Sequence, residues 1–334
     1  MRIILDAMGG DHAPDEIIKG ALLALKDFSD IEITFVGKEK IIKERLEGQD
    51  YDPARVEIVN ATQEIEMAEA PVNAIKTKKD SSMVVGMNLT AQGKGDAFIT
   101  AGSTGATIAG ATLLIRRVPG VKRPALAPVL PTRKGGVLLV DCGANVDCKP
   151  IYLKQFGIMG SIYMQKVMKV QNPRVGLINN GAEEEKGNAL TKEAYQLLKE
   201  AKIQFRGNIE GREILSGEYD VAVCDGFVGN IVMKFLEGAA KTLMGMMKDE
   251  LMSGFSSKVG ALLSKKAMMR FKKKMDYTEY GGALLLGVNK GVIKAHGSSN
   301  AKAIYSTIRQ ARTFIQENIV ETIKEEIAKT EIEA

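Results

Sequence analysis

Residues 3–14 read IILDAMGGDHAP. An apolar run stops at Asp6, two glycines and an Asp-His pair follow, and a helical pattern opens at Pro14. Such a run, too short for a helix and apolar on both faces, is the mark of a strand covered on both sides. The same grammar returns at FITAGSTG (98–105), LLVDCGANVDCKP (138–150), GLINNGAEEEKGN (176–188), AVCDGFVGN (222–230) and VIKAHGSSN (292–300). Buried strands feeding glycine-rich turns describe an α/β fold, and such sheets bind ligands beyond the carboxyl ends of their strands. The six exits are expected to share one crevice. Glycines let backbone N–H groups approach a ligand, and a helix beginning after the turn adds its positive end, so these exits are anion cradles and phosphate is the first ligand they suggest.

Working outward, strands are expected at Ile3–Leu5, Ile31–Val36, Val56–Val59, Ala97–Thr100, Val137–Val140, Val175–Ile178, Ile203–Arg206, Val221–Cys224 and Gly291–Lys294. Helices are expected at Pro14–Leu25 and Pro150–Met168, each opening on proline, at Asn188–Ala201, and from about Ile231 with Asn230 at its start. From about Ser299 the chain reads as one long helix on the spacing of Ile304, Ile308, Ile315, Ile319, Ile323 and Ile327. No linker divides the 334 residues, which read as a single α/β unit over 1–334, with two lobes as a variant.

Composition narrows the function. The 46 basic and 41 acidic residues leave +5, too little on its own to imply nucleic acid, and 5% aromatic residues without tryptophan give bases little to stack on. Cys142, Cys148 and Cys224 form no CxxC pair and only His12 and His296 are present, so zinc is not expected and the thiols suit a reducing cytoplasm. The start reaches Asp6 too early for a secretory leader. Uncharged residues 97–115 are rich in Gly, Ser and Thr and read as strand then helix rather than as a membrane span. Walker, GxGxxG and GxSxG motifs are missing, against a P-loop ATPase, a standard dinucleotide fold or a serine hydrolase.

One stretch departs from the strand-exit grammar. Residues 251–275 carry Lys258, Lys265, Lys266, Arg270, Lys272, Lys273 and Lys274 with no acidic residue, while Phe255, Val259, Leu262, Leu263, Met268, Phe271 and Met275 fall at helical spacings. This is expected to form a basic amphipathic helical hairpin facing an anionic membrane or an acidic protein; packing on the core or a second subunit is the alternative.

At the exits, His12 and His296 are placed to donate to phosphate or to an oxyanion. Lys186 precedes a helix start, where a cation is unfavourable unless an anion lies between, though Glu183, Glu184 and Glu185 would equally neutralise it. Asn230 fits an N-cap or a ligand. Asp141 and Asp225 fit orienting carboxylates or plain turns. Cys142 and Cys224 are read as core thiols rather than nucleophiles.

Taken in order, DAMGGDHAP (6–14), AGSTGA (101–106), RPALAP (123–128), DCGANVDCKP (141–150), EEEKGN (183–188), DGFVGN (225–230), YGGALLLG (280–287) and KAHGSS (294–299) resemble the bacterial phosphate acyltransferases, which move a fatty acyl group from acyl carrier protein to inorganic phosphate. The resemblance implies a three-layer α/β/α sandwich with a largely parallel central sheet, like the phosphate acetyltransferases and the isocitrate and isopropylmalate dehydrogenases. It implies a homodimer. No cofactor or metal is expected, and the thiols and the basic stretch lead to the expectation of a cytoplasmic protein peripheral to the inner face of the cell membrane. Its acyl-phosphate product would pass to a membrane glycerol-3-phosphate acyltransferase for phospholipid synthesis. Ser103 stands where the family usually has Asn, Cys142 where a small aliphatic residue is common, and Ala182 with three glutamates where Thr-Glu precedes the lysine. Serine still donates one hydrogen bond, so altered affinity is expected rather than lost activity.

On this reading phosphate attacks the thioester directly, and proximity and electrostatics carry the rate. Gly9, Gly10, Asp11, His12, Ser103, Thr104, Asp141, Asn145 and Asp225 are expected around the anion, with Lys186, Asn230 and His296 as catalytic ligands. Phe255, Leu262, Leu263, Lys265, Lys266, Arg270 and Phe271 are expected to meet membrane or carrier protein. Short-chain acyl transfer from coenzyme A and a non-catalytic acyl-phosphate or anion-binding module are the rivals. A metal-dependent dehydrogenase is least expected, for want of a carboxylate cluster.

Overall fold

The computed structural model describes residues 1–275 and 277–332. Along the first part of the chain run β1 (Arg2–Asp6), α1 (Asp15–Asp27), β2 (Glu32–Gly37), α2 (Glu39–Leu46), β3 (Val56–Asn60), α3 (Pro71–Thr77), α4 (Ser82–Ala91), β4 (Ala97–Thr100) and α5 (Thr104–Gly110), which passes into a π-helical turn over Ala111–Ile115. Then come β5 (Ala125–Ala127), β6 (Val129–Thr132), β7 (Gly135–Val140), α6 (Pro150–Lys166), β8 (Arg174–Asn179), α7 (Ala189–Lys199), β9 (Gln204–Glu210), β10 (Val221–Val223) and α8 (Gly226–Leu251). The chain closes with α9 (Phe255–Met275), β11 (Ala283–Leu286), β12 (Gly291–Lys294), α10 (Ala301–Gln316) and α11 (Ile319–Ile332).

The strands form two sheets, ordered β3-β2-β1-β4-β12-β11-β5 and β6-β7-β10-β8-β9. In the first, β1 to β4 and β12 run parallel and β11 is the reversed strand. In the second, only β6 is antiparallel to its neighbour. The α/β sandwich is therefore built on a mostly parallel sheet in two hydrogen-bonded pieces. Single bonds from Cys142 N to Leu126 O (2.8 Å) and from Leu139 N to Pro128 O (3.0 Å) stitch β7 to the strands before it.

Side chains alternate across a strand, so each strand divides its apolar residues between two layers. Ile3 and Leu5 join a core with Ile17 and Ile18 of α1 and Ile304 and Ile308 of α10, while Ile4 faces Met83, Val84 and Met87 of α4. In the second sheet Leu138 and Val140 pack with Phe156 of α6 and Leu198 of α7, and Val137 and Leu139 look toward Val228, Val232 and Leu236 of α8. Ile3, Ile4, Leu5 and Leu138 to Val140 are all fully buried, and each such side chain contributes about 1.5–3 kcal/mol of burial free energy. The core cluster holding Ile3 also holds Val175 and Val221, so apolar packing is continuous from one sheet to the other.

Four expectations need correcting. Strands β5, β6 and β11 were missed. The first two lie in RPALAPVLPT, where Pro124, Pro128 and Pro131 argue against a strand; both are edge strands, where a missing N–H costs no ladder bond. The C-terminal helix is two helices, because Asn318 takes φ 51°, a left-handed conformation that ends α10 before Ile319 opens α11. The basic stretch 251–275 is not itself a hairpin: Phe255–Met275 is one helix, which follows the end of α8 across a turn at 252–254 and touches it. Finally, α8 starts at Gly226, not near Ile231. Asp225 is its cap, accepting from Val228 N at 2.9 Å, so Asn230 lies inside the helix.

Candidate active site

Parallel strands end on one side, so the order of strands decides which exits meet. The exits of β1, β4 and β12 are consecutive in the first sheet, and those of β7, β10 and β8 are consecutive in the second. The six motifs thus fall into two triples.

The first triple is locked around buried charge. Asp6 is 2% exposed; its Oδ2 accepts from Thr100 Oγ1 at 2.7 Å, and Thr100 Oγ1 in turn accepts from Gly102 N at 2.9 Å. A side chain on Gly9 would put its Cβ 2.5 Å from Asp6 Oδ2 and 2.8 Å from Gly102 N, so only glycine lets these turns touch. Asp11 N donates to Gly297 O at 2.8 Å, tying in the third exit. Lys294, 7% exposed, donates from Nζ to Ala101 O at 3.2 Å and to Ala295 O. Burial lowers its pKa to about 8, against the raising effect of Asp6 and Asp11. Burial likewise pushes the Asp6 carboxyl up, opposed by hydrogen bonds from Ser82 and Thr100. An ammonium thus sits beneath the joined turns.

Ser103 is buried and caps α5, accepting from Ala106 N at 3.4 Å, with Thr104 opening the helix beside it. Asp11 and His12 are exposed, and His12 stands at the entry to α1 near Glu16. His296 takes Ser298 Oγ at 2.9 Å on Nδ1, and its Nε2 lies 3.9 Å from Glu237 Oε1 of α8. That contact joins the first triple to the second.

In the second triple Asp141 is fully buried and accepts four N–H bonds: from Leu126 N (2.8 Å) and Ala144 N (3.2 Å) on Oδ1, and from Asn145 N (2.6 Å) and Asn145 Nδ2 (3.0 Å) on Oδ2. Burial raises its pKa to about 6 while these donors pull it down. Asn145 also donates to Pro124 O at 2.7 Å. The start of α8 rests on this loop so closely that a Cβ on Gly229 would fall 1.9 Å from Asp141 O. Asn230 follows, 3.7 Å from where a Cβ on Gly143 would stand. Asn230 and Glu237 are two helical turns apart on α8, so the helix presents both toward the same crevice wall.

Lys186 is exposed on the β8 exit, its carbonyl held by Asn179 Nδ2 at 3.1 Å, with Asn188 capping α7. The contact described for Lys186 is thus through its backbone, and the ion pair described for His296 is with Glu237. The thiols are poor nucleophiles: burial, then Asp141, pushes Cys142 and Cys148 each up to about 12 and Cys224 well up. No group of three or more His, Cys, Asp or Glu suited to a metal occurs among the described residues. Sequence reading missed Asp6, Thr100, Lys294 and Glu237. The first three were inside quoted motifs, and a lysine ending an apolar strand was the available signal; Glu237 carried none.

The profile of a family described as fatty acid synthesis protein matches residues 1–322. A phosphate acyltransferase of Thermoanaerobacter pseudethanolicus is 52% identical over 98% of this chain and 97% of its own. One from Caldanaerobacter subterraneus is 51% identical over 99% and 98%. Among solved structures, a phosphotransacetylase from Streptococcus pyogenes superposes with a TM-score of 0.64 over 95% of this chain and 94% of its own, at 16% identity, which speaks for the fold. With two triples of glycine-rich exits and a match running nearly end to end, this chain belongs to the fatty acid synthesis protein family, among relatives that are phosphate acyltransferases.

Proposed function

We propose that the protein transfers a long-chain fatty acyl group from acyl carrier protein to inorganic phosphate, giving acyl-phosphate for phospholipid synthesis. A phosphate oxygen forms the new bond to the thioester carbon, the C–S bond breaks, and the proton of hydrogen phosphate ends on the departing carrier thiol. The observation that supports this reading most directly is the buried Lys294 ammonium beneath the joined β1, β4 and β12 exits, a cation placed where glycine-rich turns converge, while burial holds the Cys142 thiol un-ionised. Phosphate is held at these turns by backbone N–H groups and the charge below. His296 and Asn230, from opposite walls, stabilise the tetrahedral oxyanion, and Lys186 adds a cation from the β8 exit.

The peripheral membrane role is supported by exposed Phe255, Leu262, Leu263 and Phe271 on a helix that also carries exposed Lys265, Lys266 and Arg270. No helix among the described residues is long and apolar enough to cross a membrane. The homodimer is supported by Phe227, Ile231 and Phe235, an exposed stripe four residues apart on α8.

The test incubates purified protein with palmitoyl-acyl carrier protein, with and without phosphate, following carrier thiol and acyl-phosphate by mass spectrometry. Phosphate-dependent release of both in equal amounts is expected. Thiol without phosphate would make the protein a thioesterase, and turnover of acetyl-CoA alone would favour the short-chain reading. Lys186→Ala should cut turnover at least a hundredfold with the melting temperature unchanged, since the side chain is exposed; ordinary rates in the folded variant reject its role.

A further inference from the structure

Between the π-helical turn and β5, residues 116–123 read RRVPGVKR, four cations in eight residues with no acid. Arg116, Arg117, Lys122 and Arg123 are all exposed. The loop carrying them is fixed. Val118 and Val121 are buried as its anchors, Val118 N donates to Gly287 O at 3.0 Å, and Asn289 N donates to Arg116 O at 3.0 Å. Gln155 of α6, 5% exposed, clamps it from below, accepting from Lys122 N at 2.8 Å and donating to Gly120 O at 3.0 Å. Arg123 lies 6.0 Å over the Tyr152 ring, and exposed Lys149 precedes the same helix.

The position of this patch gives it a use. Pro124, the next residue, is bound through its carbonyl to Asn145, which is bound to Asp141, so the cations stand on the rim of the second triple. We infer that loop 116–123 with Lys149 is the docking surface for the acidic carrier protein that delivers the acyl thioester. This rests on the acyl-transfer reading, in which a carrier must park at the rim while its flexible arm reaches the crevice. Complementary charge on a rigid rim speeds encounter and sets orientation without needing a large apolar contact. The basic helix α9 is the competing surface, but its cations are interleaved with Phe255, Leu262 and Leu263, each more than two-thirds exposed, which suits lipid. The loop instead turns its valines inward, leaving Leu113 and Val146 as flanking exposed aliphatics.

The test compares donors. In Arg116→Glu/Arg123→Glu and in Lys149→Glu, the KM for palmitoyl-acyl carrier protein should rise at least tenfold for the double variant and severalfold for the single one. Turnover of palmitoyl-pantetheine with phosphate should stay within twofold of the parent. Lys149→Glu protects the test against misfolding, because an acid suits a helix start. Lys265→Glu/Lys266→Glu on α9 should leave the carrier KM unchanged. Anisotropy of a labelled carrier protein reads docking without turnover and should weaken in parallel, with a shallower salt dependence. An unchanged carrier KM and affinity in the loop variants overturns the assignment, as does an equal loss on palmitoyl-pantetheine or an effect confined to the α9 variant. Absence of acyl-phosphate from either donor in the parent protein sinks the transfer reading instead, and charge-dependent carrier binding would then survive it.

Discussion

At the scale of single residues, the proposed phosphate site predicts a pH limit set by Lys294. Burial lowers its pKa from 10.5 to about 8, and the charges facing it are Asp6 and Asp11. Below about 8 it is an ammonium, the form the proposed phosphate site requires; above, it discharges and that site loses its buried cation. The affinity for phosphate should therefore fall as pH rises through about 8. Lys294→Arg, which keeps its charge, should move that limb upward by at least a unit in a profile of kcat/KM for phosphate. Unfolding through this group is not the cause, because the folded state releases the proton more readily than the unfolded chain. Its linkage therefore favours the fold more as pH climbs from about 8 toward 10.5, so melting curves should separate the two effects. Asp141 gives the companion prediction. An amide there would turn its NH2 toward the two Asn145 donors now served by Oδ2. Asp141→Asn should cost about 3 kcal/mol, read by denaturant unfolding, through buried donors left facing a donor. Both aspartate and lysine stood in motifs the sequence displays, but their burial did not, since a strand-end Asp or Lys looks the same whether its neighbours cover it or not.

At the scale of elements, the strands β1, β4, β7, β8, β10 and β12 were legible because each is a short apolar run that stops at a glycine-containing turn. Antiparallel edge strands were not, because proline at 124, 128 and 131 removes donors that an edge does not need. The helix break at Asn318 was equally hidden: isoleucine spacing runs on through it, and one left-handed residue re-aims α11 without disturbing the pattern. The pairing of α8 with α9 has a consequence for function. One end of α8 forms the crevice wall through Asn230 and Glu237, and the other end supports the basic helix. A surface bound by α9 therefore lies at the far end of a single rigid helix from the chemistry. Protein should float with anionic liposomes, and Leu262→Ser/Leu263→Ser/Phe271→Ser should abolish flotation while leaving the melting temperature within a few degrees, as these side chains are exposed. Flotation unchanged in the triple variant rejects the lipid contact.

At the scale of the whole molecule, the six exits could be read in the sequence but their grouping could not, because grouping depends on strand order. β12 enters the first sheet beside β4 from the far end of the chain, bringing Lys294 within electrostatic reach of Asp6 and the His296 turn to the β4 exit. A ligand at this junction touches segments nearly three hundred residues apart, and binding that requires the fold must stabilise the fold. Phosphate at one hundred times its dissociation constant should add about 2.7 kcal/mol. Spread over the unfolding entropy of a chain this long, that is a rise of about 4 °C in melting temperature. Scanning calorimetry with phosphate against an equal ionic strength of chloride reads this directly. In Lys294→Met the rise should shrink to within about 1 °C of zero, because the variant keeps the turns and loses the charge beneath them. An undiminished rise in that variant would move the phosphate site away from the β1, β4 and β12 junction. The second triple, where Lys186 supplies the cation, would then be the remaining anion site, and Lys186→Ala the variant in which the rise should vanish.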